Sequence, residues 1–354
     1  MELKFNQLNK RQEVVLNFID CQEKSSVAEL FLNLKNKKIK VSRVTIIRDL
    51  NQLLKFNFIE KGGQGRNVTY RLSEQYNLFK PIRVDEYFKT SPDKRQGQTK
   101  FNFKLFKKLK DIFSGDEREY LKNLLIEHRT NVKKLPADIL KLEFERITIE
   151  LSWKSSLIEG NTYTLLETES LIKQCKRAFG HKKEEAVMIL NHKYTLDYIR
   201  KNSTKFKKIS IQKLEDIHAL LVKDLGISQG LRKSPVGITG TIYRPLDNIY
   251  QIREAIEEMC QLINQEKDVF SKALVLMLAV AYIQPFVDGN KRTSRLIANA
   301  ILMAHDVCPL SYRSVDEEEY KKAIILFYEQ NNLNYFKKLF LDQFEFAVKN
   351  YFRA

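Results

Sequence analysis

Gln284-Pro285-Phe286-Val287-Asp288-Gly289-Asn290-Lys291-Arg292-Thr293-Ser294-Arg295 joins the apolar run Ala273 to Ile283 to an amphipathic run that begins LIANAILMAH. The apolar run is too short for the ~20 residues that span a bilayer, so a buried core helix is expected there. A tight loop carrying Asp, Gly, Asn and Lys then opens onto a helix N-terminus. Free N–H groups and the positive end of the helix dipole make such a place a ready anion site. Arg292 and Arg295 are i,i+3 neighbours, so both guanidinium groups reach one polyphosphate. Asp288 is placed to hold Mg²⁺ bridging phosphate oxygens, and Asn290 to fix the loop or contact a phosphate. Phe286 reads as a core anchor.

The composition of the whole chain is that of an ordinary globular protein, 43% hydrophobic and 30% charged over 354 residues, with few Gly and Pro and a lean towards helices. Two domains fit the length. The start, MELKFNQLNKRQ, has neither an apolar signal core nor a transit pattern, so a cytoplasmic protein without membrane anchorage is expected. Cys21, Cys175, Cys260 and Cys308 lie far apart, and the five histidines are equally scattered, which argues against a zinc site or a disulfide framework. Charge is uneven. Residues 1–113 hold 24 Lys+Arg against 12 Asp+Glu, a net of +12, and the remainder carries 37 against 32, a net of +5. A basic third joined to a nearly balanced remainder points to a polyanion-binding module, or to a solvated basic surface.

Three short helical patterns occupy residues 9–57. The first has the stripe Val14, Val15, Phe18 and Ile19, and the second Val27, Leu30, Phe31 and Leu34. The third, capped by Ser42 and running to about Phe56, is expected to bury Val44, Ile47, Leu50 (or Asn51) and Leu54. Its opposite face would then present Arg43, Thr45, Arg48 and Gln52 to phosphates or base edges. Phe58 to Lys61, GGQGR, and Val68 to Leu72 read as a β-hairpin with Val68, Tyr70 and Leu72 inward and Arg66 at the tip. The stretch VSRVTIIRDLNQLLKFNFIEKGGQGRNVTYRL resembles a DeoR-like winged helix-turn-helix domain over about residues 8–73. That resemblance implies double-stranded DNA as partner, with the Ser42–Phe56 helix in the major groove; winged helices also dock proteins. Residues 73–113 read as a connector, hinge or packing arm.

From Asp116 onward the chain reads as successive helices, interrupted by Gly230–Asn248, which looks like a short hairpin or flap. Within this region the 284–295 stretch resembles the Fic (Fido) signature HxFx(D/E)GN(G/K)RxxR at every defined position except the first. Gly237, Ile238, Thr239 and Gly240 then resemble the family's flap, and Ser155, Glu159 and Gly160 its inhibitory (S/T)xxxE(G/N) pattern. The implied fold class is mainly α: an all-helical Fic core with a short β-hairpin flap, plus the α+β winged helix. The implied division is 1–75 winged helix, 76–115 connector and 116–354 Fic domain, with an inhibitory helix around 143–160.

Family members mostly transfer AMP from ATP to a protein hydroxyl. The resemblance therefore implies ATP and Mg²⁺, with Asp288 as metal ligand, Gly289, Asn290, Lys291 and Arg292 as phosphate cradle, and Arg295 as γ-phosphate clamp. Glu159 would pair with Arg295 and block productive ATP binding. Two positions depart from the pattern. Gln284 replaces the family's general-base His, and an amide does not titrate near neutral pH. Lys291 stands where the commonest form has Gly: its bulk would crowd the phosphate subsite, its charge would equally bind phosphate, and a Lys there is also found in the Doc branch, which transfers phosphate. Two readings follow: an autoinhibited AMP transferase acting on an unknown target or on itself, and a nucleotide-binding, DNA-binding regulator that does not turn over. A homodimer is among the assemblies left open.

Overall fold

The computed structural model describes residues 8–353. They form fifteen α-helices and one two-stranded sheet, divided into a unit that ends at Pro81 and a unit that starts at Ile82.

In the first unit α1 (Lys10–Gln22), α2 (Val27–Asn36) and α3 (Arg43–Lys55) start at Asn9, Ser26 and Ser42, whose side chains accept the backbone N–H of the third helical residue. Their apolar faces meet in a core of Val15, Leu16, Ile19, Leu30, Leu34, Ile46, Leu50 and Leu53. Strands β1 (Ile59–Gly62) and β2 (Thr69–Leu72) pair antiparallel, Ile59 opposite Leu72 and Lys61 opposite Tyr70. Tyr70 and Leu72 point inward, as the alternation predicts. Gly63 is in the left-handed region at φ 78°, and a Cβ there would fall 2.2 Å from the Asn67 carbonyl oxygen, so the turn requires glycine. A short α4 (Glu74–Phe79) follows, capped by Ser73.

The buried face of α3 differs from the expectation. Ile46, Asp49, Leu50 and Leu53 are buried, whereas Val44 and Ile47 are exposed. The helix carries two apolar stripes at helical spacing, and the buried one is the stripe that brings Asp49 onto Arg11, whose Nη2 donates to Asp49 Oδ1 at 3.0 Å.

The second unit begins with α5 (Val84–Lys89) and an irregular arm. Leu105, Phe106, Leu109, Ile112 and Phe113 are buried, and Phe101 stacks on Tyr282 at 4.8 Å. Residues 82–113 therefore pack onto the helical unit. Then follow α6 (Gly115–Lys134), α7 (Ala137–Ile158), α8 (Leu165–Gln174), α9 (Lys183–Lys201), α10 (Ile211–Leu221), α11 (Ile249–Gln265), α12 (Val269–Ile283), α13 (Asn290–Ala304), α14 (Glu317–Gln330) and α15 (Asn334–Asn350). Helix α12 is buried from Phe270 to Ile283, the expected core helix, and packs along α13. Among the described residues no helix is long and apolar enough to cross a membrane.

The segment 230–248 forms no strand, contrary to the hairpin expected there. Its polar backbone groups are drawn elsewhere: Arg232 N–H to the Pro285 carbonyl at 3.0 Å, Arg244 N–H to the Thr99 carbonyl at 3.0 Å, and Ile242 N–H to Glu329 Oε1 at 3.1 Å. Pro235 and Pro245 have no N–H to give to a ladder.

Three histidines, His128, His192 and His218, are buried in the second unit. Desolvation pushes His128 and His218 down to about 4 and His192 well below its usual 6.5. Below pH 6.5 the unfolded chain protonates these rings while the folded chain does not, so stability is expected to fall from pH 6.5 towards 4. The slope is roughly 1 kcal/mol per histidine per pH unit. Urea midpoints at pH 7.5 and 5.5 check this; equal values would mean that the rings are charged in the fold.

Candidate functional site

Helix α12 ends at Gln284 in the left-handed conformation, φ 51° and ψ 59°, which turns the chain sharply into the loop. Two contacts hold that loop. Asn290 Oδ1 accepts from Phe286 N–H and its Nδ2 donates to the Phe286 carbonyl, each at 2.8 Å, so Asn290 fixes the loop. The Phe286 ring is buried and stacks on His218 at 3.8 Å and 5°, and His218 Nε2 donates to the Asp288 carbonyl at 3.0 Å. Gly289, φ 79°, then caps α13, whose first N–H groups open at the loop.

Arg292 and Arg295 are buried on the first turns of α13. Arg292 Nη2 contacts Asp288 Oδ2 at 3.2 Å, and its Nη1 has no hydrogen-bond partner. An unsatisfied buried guanidinium N–H is costly, and a phosphate oxygen would satisfy it. The Asp288 carboxylate itself is 65% exposed. His192 lies in the same interior. Desolvation first, then the Arg292 and Arg295 charges, keep its ring neutral, and neither ring nitrogen has a partner.

The opposing element is the C-terminus of α7. Glu159 is its last cap, followed by Gly160 at φ 93°, the left-handed turn that commonly ends helices. A carboxylate there opposes the negative end of the helix dipole, so local preference does not explain it. Its partners do. Arg295 Nη2 donates to Glu159 Oε1 at 2.9 Å, and Lys291 Nζ lies 2.9 Å from Oε2. Ser155 accepts from Arg295 Nε at 2.8 Å through its hydroxyl and from Nη2 at 2.9 Å through its carbonyl. Burial alone would raise the Glu159 carboxyl, but Arg295 and Lys291 outweigh it and hold it down at about 2.

Gln284 is buried. Its Nε2 donates to the Ala281 carbonyl at 2.6 Å and lies 3.4 Å from the Tyr328 hydroxyl. Of the flap residues, Gly237, Thr239 and Gly240 are exposed and Ile238 is half-buried. Of the residues expected to meet DNA, Arg43, Arg48, Gln52 and Arg66 are exposed, and Thr45 is half-buried with its hydroxyl 3.0 Å from that of Ser42. Among the described residues no group of three or more His, Cys, Asp or Glu is arranged to hold a metal.

The Fic/DOC family model matches residues 208–302, the span from before α10 through the loop and α13. Over that span the chain is similar to the Fic/DOC family. It is 26% identical over 204 residues to the protein adenylyltransferase Fic of Nematostella vectensis, covering 55% of this chain and 47% of that one. It is 28% identical over 152 residues to its namesake in Drosophila melanogaster, covering 41% and 30%. The chain thus spans less than half the length of these relatives. Among solved structures, Fic-1 of C. elegans superposes with a TM-score of 0.59 at 15% identity over 96% of both chains. A Fic-domain signalling protein of Bacteroides thetaiotaomicron gives 0.54 at 18% identity, over 65% of this chain and 96% of that one. These two likenesses concern the fold.

Some residues that shape this site were not singled out from the sequence. Arg232 is buried, donates from Nε to the Gln284 carbonyl at 2.6 Å and from Nη1 to the Ser234 carbonyl at 2.8 Å, and also bonds the Leu246 carbonyl, so it ties both ends of the 230–248 segment to the loop. Glu329 is buried, accepts from Tyr87 at 2.6 Å and from Arg95 at 3.2 Å, and so binds the arm to that segment through Ile242. No local pattern marks these positions, because their partners lie far off in sequence.

Proposed function

We propose that this protein binds ATP at the α13 N-terminus and transfers AMP to a hydroxyl side chain of a protein, itself included, with Glu159 holding the site closed. The observation that carries the reading is Glu159, a carboxylate between Arg295 and Lys291 where anionic phosphates would otherwise sit. The Fic adenylyltransferase relatives support the reaction class. In that reaction the target hydroxyl oxygen bonds to the α-phosphorus, the bond to the β-phosphate oxygen breaks, pyrophosphate leaves, and the hydroxyl proton goes to a base.

Arg292 and the α13 N–H groups would meet the phosphates, and Arg295 would meet them once Glu159 withdraws. Mg²⁺, where bound, neutralises phosphate charge; it takes few protein ligands and keeps waters and phosphate oxygens. The single exposed Asp288 carboxylate fits that donor set. Gln284 takes no proton. Its burial against Ala281 and Tyr328 favours a second reading, a regulator that binds ATP with little turnover. In the first unit, the three helices α1–α3 ahead of a glycine hairpin, with the exposed cations Arg43, Arg48 and Arg66, support a winged helix that binds duplex DNA.

Calorimetry with ATP and Mg²⁺ tests the nucleotide site. Arg292→Ala is expected to weaken binding about tenfold or more, since a charge-assisted hydrogen bond is worth ~1.5–3 kcal/mol. Unchanged affinity would remove the phosphate-cradle assignment.

A further inference from the structure

Val44 and Ile47 are 67% and 45% exposed. They lie in the first two turns of α3, three residues apart, on the face that also carries Arg48, Asn51 and Lys55. Branching at Cβ lowers helix propensity, and neither side chain belongs to the buried core of the unit. The exposed side chains around them are cationic or neutral: Arg43, Arg48, Asn51, Gln52 and Lys55. The helix's one acid, Asp49, is turned inward onto Arg11, so the exposed face carries no negative charge. An apolar pair ringed by cations suits a polyanion that offers apolar groups between its phosphates. In the major groove of duplex DNA those groups are thymine C5-methyls.

We propose that Val44 and Ile47 read thymine methyl groups, while Arg43 and Arg48 hold the flanking phosphates or purine edges. The inference rests on the DNA-binding reading above and adds its base preference. It also reverses the roles assigned from sequence, in which both residues belonged to the core.

Duplexes bound by the full chain are selected from a random pool, and each thymine of the selected site is then replaced by deoxyuridine, which removes only the methyl. One or two positions are expected at which replacement weakens binding about three- to fivefold, the scale of one buried methyl-sized group. Val44→Ala and Ile47→Ala proteins are expected to bind the thymine duplex correspondingly less well and to lose that sensitivity. Both side chains are exposed, so unchanged circular dichroism and melting exclude misfolding. Salt-dependent, sequence-selective binding with no response to deoxyuridine overturns the methyl readout and leaves the DNA reading standing. Salt-dependent binding that enriches no sequence overturns the readout as well. No salt-dependent duplex binding overturns both.

Discussion

Glu159→Gly is expected to tighten ATP binding by roughly 10- to 100-fold. Arg295 and Lys291 both direct their charge at Glu159, at 2.9 Å each, and a phosphate must displace that carboxylate before it meets either cation. Each charge-assisted bond withheld in this way is worth ~1.5–3 kcal/mol, and 1.4 kcal/mol is tenfold. The same change has an opposite effect on the empty protein. Lowering the Glu159 carboxyl from 4.5 to about 2 corresponds to roughly 3 kcal/mol of favourable interaction with its charged form. Removing it leaves Arg295 with Ser155 alone of these partners, so melting without nucleotide is expected to drop by several degrees and to recover when ATP is added. Lys291→Ala is expected to fall between, because Arg295 still holds Glu159. Its folded value lies below its unfolded one, so this pairing's contribution is complete above pH 4.5 and is lost as pH falls towards 2. ATP affinity is therefore expected to show no Glu159 titration between pH 6 and 8. Equal affinities for the parent and Glu159→Gly chains would remove the inhibitory role.

The second large effect is expected from Gln284→His in the Glu159→Gly background: AMP transfer faster by about 10²–10⁴, the usual contribution of a general base. The backbone favours this test. Residue 284 sits at φ 51°, a left-handed conformation in which His is enriched several-fold over most residues. Intact mass after incubation with ATP and Mg²⁺ reads the adduct. Adduct only in the His form would mean a scaffold that still assembles the transfer geometry but lacks its base. Equal adduct in both forms would mean that another group takes the proton. No adduct in either would remove self-AMPylation and favour the nucleotide-binding regulator.

Local rules made much of this protein legible beforehand. A Ser cap marked the start of the third helix at Ser42, and alternation marked the hairpin with Tyr70 and Leu72 inward. The motif loop could be read because its chemistry is packed into twelve consecutive residues, and Phe286 as an anchor follows from an aromatic ring set among polar neighbours. Asn290 was left between two roles, and its paired bonds to the Phe286 backbone favour the structural one.

What sequence could not decide was which groups meet from a distance. On α3 two stripes had the right spacing for burial, and only packing against the rest of the unit, with Asp49 paired to Arg11, chose between them. The 230–248 segment had the composition of a hairpin, but backbone N–H groups go to the strongest acceptors within reach, and those came from Pro285, Thr99 and Glu329. Lys291 read equally well as an obstacle to phosphate or a partner for it. Its contact with Glu159, on a helix end far away in the chain, belongs to neither description. Spacing and composition determined the elements, the loop and its charge, because those depend on neighbours a few residues apart. The partners of each buried ion were decided by tertiary structure, because a charge taken out of water is stabilised only by whatever the fold brings within about 3 Å.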